Sequence, residues 1–135
     1  MSVEFVNNSI NVKEAINDNA IAWLYEAGGE VLSQAVRNTK VASGKTKGSW
    51  QLAVDEGSLT CHIGSNYDNA IWEEFGTGIY AVEGNGRKTP WVYVDEQGIR
   101  HVTKGKRPRR MLFSAFNSKH GTIIDLAKRR FINLK

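Results

Sequence analysis

A long run of helical periodicity, residues 11–38, constrains the fold of this chain more than any other feature. Its apolar residues recur three or four positions apart, which places them on one face of an α-helix about 40 Å long. Asn11, with Glu14 three positions later, predicts a helix start of the capping-box kind. Gly28-Gly29 in the middle of the run predicts either a kink or the close approach of another backbone.

Two pairs of short segments alternate polar and apolar residues and are joined by turn residues. Residues 49–54 and 59–63 form the first pair, and residues 91–94 and 99–102 form the second. Each pair predicts an antiparallel hairpin, because alternation with a period of two gives a strand one apolar side. The first hairpin is expected to bury a face made of Trp50, Leu52, Val54, Leu59, Cys61 and Ile63.

The remaining segments predict a short helix at 67–75 and a C-terminal helical region in which Gly121-Thr122 ends one helix and starts another. The chain is therefore predicted to be one α+β domain, residues 1–135. A long N-terminal and a C-terminal helix would pack on a small antiparallel sheet of two hairpins. An N-terminal arm (1–10) and a flexible glycine-rich loop (76–90) complete this prediction. The C-terminal helical stripe consists of Leu112, Phe116, Ile123, Ala127 and Phe131.

Composition sets limits on the class of protein. A chain of 135 residues with 41% apolar content can form a core without disulfide or metal support. The single cysteine, Cys61, has no partner for an internal disulfide and is expected to pack as a small apolar residue. Neither a bilayer-length apolar run nor a secretion signal is found, so we expect a protein that is not addressed to a membrane.

Charge is distributed unevenly along the chain. Residues 1–99 hold seven Lys/Arg and thirteen Asp/Glu, a formal charge of −6. Residues 100–135 hold eleven Lys/Arg and one Asp, a formal charge of +10, which gives the net +4. Such a division suits head-to-tail association between copies, and the simpler alternative is a solvated basic tail.

Candidate catalytic motifs are incomplete. Gly44-Lys45-Thr46 ends like a phosphate-binding loop, but Thr39 stands where that motif needs glycine. Glu73 and Glu74 are neighbours on a predicted helix, so their carboxylates point about 100° apart. The three histidines lack metal-ligand spacing, and no serine or cysteine has a nucleophile signature. We therefore expect no catalytic residue, no cofactor, no metal and no small-molecule substrate.

Residues 72–78 are the first candidate interaction segment. Phe75 is expected to be buried with Ala70 and Ile71, Trp72 to help anchor the loop, and Glu74 to pair with a basic group such as Arg109. Glycine permits backbone angles closed to other residues, so the chain after Phe75 can turn sharply or lie against a partner. The segment predicts a docking loop, and its remaining interaction candidates are Gly76, Thr77 and Gly78.

A basic run at 104–110 is the second candidate. Such a run is typical of non-specific phosphate contact, and a solvated or protein-facing basic loop is the alternative. A small nucleic-acid-binding module using 104–110 and 128–130 therefore remains an alternative function. The basic interaction candidates are Arg87, Lys88, Lys106, Arg107, Arg109 and Arg110.

Three segments, in order, resemble the head–tail joining (neck or tail-completion) proteins of long-tailed phages. Ser43-Gly44-Lys45-Thr46-Lys47-Gly48-Ser49 is similar to that family's Thr-Gly-x-Leu-Arg-x-Ser. In the family's Tyr-Ala-x-x-Val-Glu-Phe-Gly-Thr segment, the matches fall on Ala70, Glu74, Phe75, Gly76 and Thr77. In Ala-Arg-Pro-Phe-Leu-Arg-Pro-Ala-Phe, the matches fall on Arg109, Leu112, Ala115 and Phe116.

The resemblance implies a non-enzymatic structural protein that forms a homo-oligomeric ring, such as a hexamer. Its implied partners are the phage connector or head-closure protein and the tail-terminator protein. Non-specific contact with passing DNA is expected from the basic run at 104–110, not from the resemblance. The implied location is the neck or tail of the virion, and the host cytoplasm during assembly.

Overall fold

The computed structural model describes residues 3–4, 7, 9–40 and 44–132, and it has the predicted α+β fold. Half of the predicted arm 1–10, and residues 41–43, lie outside these ranges, and the predicted bound of the arm was wrong because Ser9 and Ile10 belong to the first helix. The elements in chain order are α1 (Ser9–Asn38), α2 (Gly44–Lys47), β1 (Trp50–Asp55), β2 (Thr60–Ser65), α3 (Asp68–Phe75), a 3-10 turn (Gly78–Tyr80), β3 (Trp91–Val94), β4 (Arg100–Thr103) and α4 (Met111–Ile132).

Helix α1 is one helix from Ser9 to Asn38 and continues through both glycines. A Cβ on Gly28 would lie 2.6 Å from Leu52 Cδ1 and 2.7 Å from Cys61 Sγ, so Gly28 allows hairpin side chains, not another backbone, to approach. The predicted cap at Asn11 was wrong, since the helix begins two residues earlier. There the Asn7 side chain accepts the Ser9 N–H at 3.0 Å.

Helices α1 and α4 lie antiparallel: the end of α1 contacts the start of α4, and an earlier part of α1 contacts a later part of α4. The Asn38 side chain donates to the Met111 carbonyl at 3.0 Å, and the Trp23 indole donates to the Ile123 carbonyl at 2.8 Å. Helix α4 is continuous, so the predicted break at Gly121 was wrong. A continuous helix lets α4 keep its contacts along α1, and that packing offsets the low helix propensity of one glycine.

The core lies where α1, β1, α3 and the start of α4 converge. Trp50 is its largest residue, and the indole N–H donates to the Thr39 hydroxyl at 2.9 Å. Of the predicted α4 stripe, Leu112 and Ile123 pack against this core, whereas Phe116 and Phe131 are exposed. The fully buried apolar core residues are Val31, Ala35, Trp50, Ala70, Met111 and Ala115.

The two hairpins form separate two-stranded antiparallel sheets. In the first, Leu52 pairs with Ile63 and Val54 with Cys61, as the alternation predicts, and this sheet packs on α1. Leu59 was expected on the same face but lies in the turn, exposed and with a φ of 52°. In the second, Val92 pairs with Val102, and both side chains are exposed.

Candidate interaction site

Helix α3 buries two of its three acidic residues, Glu73 and Glu74, and exposes its large apolar ones. Glu73 is 1% exposed and Glu74 is 6% exposed, whereas Trp72 is 53% exposed and Phe75 is 42% exposed. Ile71 is exposed as well. The prediction that Phe75 is buried with Ala70 and Ile71 was therefore wrong, and of these three only Ala70 is in the core.

The Glu74 carboxylate explains this orientation. Its two oxygens accept the backbone N–H groups of Leu112 at 2.8 Å and Phe113 at 2.9 Å. These are first-turn amides of α4, which have no partner within their own helix and carry the positive end of its dipole. The expected pairing of Glu74 with Arg109 was wrong: the ion pairs between described residues do not include it.

The Glu73 carboxylate is held by one residue of its own helix and by one residue of the chain that precedes α4. Lys106 Nζ lies 3.3 Å from its Oε1, and the Asn69 side chain donates to the same oxygen at 2.7 Å. Asn69 also donates to the hydroxyl of Thr46, a buried residue of α2, at 3.2 Å. Arg109 contributes through its backbone, whose N–H donates to the Glu73 carbonyl at 2.6 Å. Burial of Glu73 is thus compensated by a cation and a hydrogen-bond donor.

The start of the glycine-rich loop is tied to the chain that precedes α4. Thr77 donates its N–H to the Lys106 carbonyl at 2.9 Å, and its hydroxyl accepts the Lys106 N–H at 2.8 Å. A Cβ on Gly78 would lie 2.0 Å from the Lys104 carbonyl oxygen, and Gly76 is similarly confined. Both glycines have positive φ, so their lack of a side chain allows the backbone to turn here, while Thr77 between them is held by its two hydrogen bonds to Lys106. The flexibility of 76–90 stays a prediction.

An apolar groove of about 400 Å³ lies between β2, α3 and the start of α4. The guanidinium carbon of Arg110 lies 4.4 Å from the ring centre of Phe113 and 5.4 Å from that of Phe75. Its Nη1 is buried and finds no hydrogen-bond partner among the described residues. Arg110 also adopts a φ of 51°, a conformation that residues other than glycine rarely take. The groove is lined by Trp50, Ala70, Ile71, Glu74, Phe75, Arg110, Leu112 and Phe113.

An aromatic cleft of about 860 Å³ lies on the other side of α3, between the loop and the second hairpin. Its walls carry Trp72, Trp91 and Tyr93 beside Lys106 and Arg87. The Arg87 guanidinium carbon lies 5.8 Å from the Trp91 ring centre. The cleft thus brings the aromatic ring of Trp72 and the basic side chain of Lys106, which are far apart in the sequence, to the same surface as Arg87 and Trp91.

The turn of the second hairpin is organised by Asp95. Its Oδ2 accepts the His101 Nε2–H at 2.8 Å, and its Oδ1 accepts the N–H groups of Gln97 and Ile99. The His101 hydrogen bond is the main reason why the pKa of the Asp95 carboxyl lies below its ordinary value, with the Ile99 N–H next in importance. Tyr93, on the cleft wall, stacks on the same His101 ring at 5.1 Å.

Most of the predicted interaction residues line one of these two concavities. Glu74, Phe75 and Arg110 meet at the apolar groove, whereas Lys88, Arg107 and Arg109 line neither concavity. Lys88 donates to the Gly84 carbonyl, and Arg107 lies over the Tyr80 ring at 4.6 Å. The aromatic cleft brings together Trp72, Gly76, Thr77, Gly78, Arg87 and Lys106.

Among the residues of these sites that sequence reasoning missed are Ile71, Trp91, Tyr93 and Phe113. Ile71 was missed because helical periodicity was taken to bury the apolar side of α3, and Phe113 because it lies off the predicted apolar stripe of α4. The alternation in β3 predicted a strand that contains Trp91 and Tyr93, but it gave no indication of what their side chains face.

Some of the acidic residues in 1–99 form ion pairs with basic residues in 100–135 of the same chain. Glu26 pairs with Arg130 at 2.9 Å, and Glu30 pairs with Lys119 at 3.4 Å. Both pairs join α1 to α4, which means that these charges hold the two helices together. Lys106 is likewise engaged with Glu73.

In the ranges that the structure describes, no three His, Cys, Asp or Glu side chains come together as a metal site. None of the helices in those ranges is long and apolar enough to cross a membrane. No protein-family model, no curated protein and no solved structure matches the chain.

Proposed function

We propose that this protein is a structural, non-enzymatic component of the phage head–tail junction, working as a homo-oligomeric ring that docks to connector and tail proteins. The observation that carries the proposal is the orientation of α3, which buries Glu73 and Glu74 and presents Ile71, Trp72 and Phe75 to solvent. Between the groove and the cleft these three side chains line one further concavity, and exposed apolar side chains grouped in this way mark protein interfaces.

The energetics favour an interface at α3. Burying a large apolar side chain is worth about 1.5–3 kcal/mol, and in the isolated chain Trp72 and Phe75 gain only part of this. Contact with another protein would supply the rest. Trp72 and Phe75 are also of the aromatic type that is enriched at interface centres.

Contacts between the three resembling segments support the same proposal. Asn69, in the middle segment, donates to Thr46 in the first, and Glu74 accepts the N–H of Leu112 in the last. Of these residues, Glu74 and Leu112 are matched positions of the resemblance, and their hydrogen bond joins α3 to α4. In this proposal the protein is located in the virion neck or tail, and in the host cytoplasm during assembly.

A complementation experiment tests the proposal. A stop codon in the gene of a phage that encodes the protein should leave filled heads and separate tails in electron micrographs. Plasmid-borne wild-type protein should restore joined particles, and Trp72→Ala should reduce them about tenfold if about 1.4 kcal/mol of docking energy is lost.

Tyr25→Ala is the matched control, because Tyr25 is an aromatic residue of similar exposure that lies on α1, away from α3. It should complement like the wild type. Joined particles in the absence of the protein would contradict the proposal.

A nucleic-acid-binding module is the second candidate function, and the aromatic cleft favours it. Trp72, Trp91 and Tyr93 lie beside Arg87 and Lys106 there, and aromatic rings next to cations suit single-stranded nucleic acid. Against it, Lys106 is already paired with Glu73.

A fluorescence titration with an unstructured oligonucleotide at several salt concentrations tests this candidate. Binding through the cleft should weaken steeply with salt and on Trp91→Ala. Absence of binding at low salt would eliminate it.

A further inference from the structure

We propose that the apolar groove receives the first turns of α1, residues 9–18, from a second copy of this chain. The inference rests on the proposed ring and specifies which surfaces of neighbouring copies meet. It joins two features that lack partners in the part of the chain that the structure describes.

The groove is incomplete as it stands. Phe75 and Phe113 are exposed on either side of Arg110, whose Nη1 is buried without an acceptor among the described residues. Glu74 also lines the groove, but both of its oxygens are occupied by amides of α4. Arg110 as a whole is only partly buried and is in no ion pair between described residues, so its charge is available to an incoming carboxylate. An occupant should therefore bring apolar side chains and one carboxylate.

The start of α1 carries such a set. Every residue from 9 to 18 is exposed except Ala15, and Ile10 is 70% exposed. Ile10 and Glu14 lie one helical turn apart, so they share a face. On one face, Ile10 can enter the apolar part of the groove while Glu14 reaches Arg110.

This part of α1 extends beyond its partner helix. Glu26 pairs with Arg130, and α4 ends two residues later at Ile132. Residues 9–14 lie further toward the N-terminus of α1 than the described end of α4 reaches. Among the described residues no other element covers Ile10, so another surface is needed to bury it.

One copy cannot fill its own groove. The groove lies at the start of α4, next to the end of α1, because Asn38 donates to the Met111 carbonyl. Residues 9–18 occupy the other end of a helix that is about 45 Å long at 1.5 Å per residue. Contact between the two features is therefore between copies and of the head-to-tail kind, which forms a ring when the rotation closes.

Charge reversal in the purified protein tests the proposal. Glu14→Arg and Arg110→Glu each place like charges at the contact, so each should weaken self-association about tenfold or more by sedimentation or light scattering. The two single variants mixed together should associate again, because each supplies the opposite charge to the other. A merely structural role for Arg110 would not produce this rescue.

Glu56→Arg is the matched control, since it makes the same charge change in an exposed turn of the first hairpin. It should associate like the wild type. A wild-type protein that stays monomeric at every concentration, or single variants that associate like the wild type, would overturn the proposal.

Disulfide trapping provides a second measurement should Arg110→Glu fail to fold. Ile10→Cys combined with Phe113→Cys, in a Cys61→Ser background, should form oligomers linked between chains on oxidation. Absence of linked chains would overturn the proposal as well.

These outcomes are separate from those of the proposed function. Trp72 lies in the aromatic cleft and not in the groove, so Trp72→Ala tests docking to phage partners independently. Charge-reversal variants that associate normally, together with a Trp72→Ala defect in joining, would overturn only the contact between copies.

Discussion

The carboxylate of Glu74 accepts the backbone N–H of Leu112 at 2.8 Å, and this contact joins the short helix α3 to the first turn of α4. The contact lies at the core, where Glu74 is almost fully buried. It sets the rotation of α3 about its axis, and that rotation leaves Trp72 and Phe75 at the surface. The candidate interaction site thus depends on a buried acid that caps another helix.

Glu74 substitutions should reveal this role. Glu74→Ala leaves two amides of α4 without their acceptor, and we expect a loss of about 3 kcal/mol in the free energy of unfolding. Glu74→Gln keeps the shape but removes the charge, and the expected loss is about 2 kcal/mol. Urea denaturation followed by circular dichroism measures both. Glu56→Gln, in an exposed turn, should stay within about 0.5 kcal/mol of the wild type.

The glycine pair in α1 should respond unequally to alanine. A Cβ on Gly29 meets nothing within 4 Å, so Gly29→Ala should stabilise the protein by about 1 kcal/mol through helix propensity. A Cβ on Gly28 meets Leu52 and Cys61 below 3 Å, so overpacking should outweigh that gain and leave a net loss of about 1 kcal/mol. Thermal unfolding of the two variants compares them, and equal melting temperatures would contradict the packing of α1 on the first hairpin.

Gly78 and Gly84 both have positive φ, yet they differ in their surroundings. At Gly84 a Cβ meets open space, so Gly84→Ala should cost about 1 kcal/mol of backbone strain. At Gly78 a Cβ meets the Lys104 carbonyl, and Gly78→Ala should cost about 3 kcal/mol and detach the loop from residues 104–106. Chemical denaturation gives the stability, and limited proteolysis reports the loop. Equal sensitivity of the two variants would argue against this packing.

The turn of the second hairpin should lose stability in acid. The pKa of Asp95 is lower in the folded chain than its ordinary value of 3.8, chiefly because His101 hydrogen-bonds to it. A depressed pKa contributes stability that is present above the ordinary value and is lost as the pH falls through the folded value. Protection of the Ile99 amide against hydrogen exchange should therefore fall below about pH 3.8. Asp95→Asn keeps an acceptor oxygen without the titration, and it should remove this pH dependence.

The secondary structure could be predicted well from local patterns. Period-two alternation placed both hairpins, and helical spacing placed α1 and α3 within about two residues of their observed bounds and predicted a helical C-terminal region where α4 lies. The errors in helix starts and breaks were at single residues whose role depends on which residues contact them in the folded chain. Asn11 was assigned a cap that Asn7 supplies, and Gly121 was assigned a break that packing against α1 prevents.

The sequence alone determined the three longer helices and both hairpins of this protein, their order and the α+β class, because helix and strand periods are properties of residues a few positions apart. It did not predict α2 or the 3-10 turn. It also predicted the segment from Glu74 to Gly78 to be the centre of an interaction site, which stays a prediction. Only the tertiary structure decided which side of α3 is buried, because both Glu74 and Phe75 could be placed inside by local rules. The amides of Leu112 and Phe113 gave the buried position to Glu74, since a carboxylate with two backbone donors at a helix N-terminus can be buried at low cost.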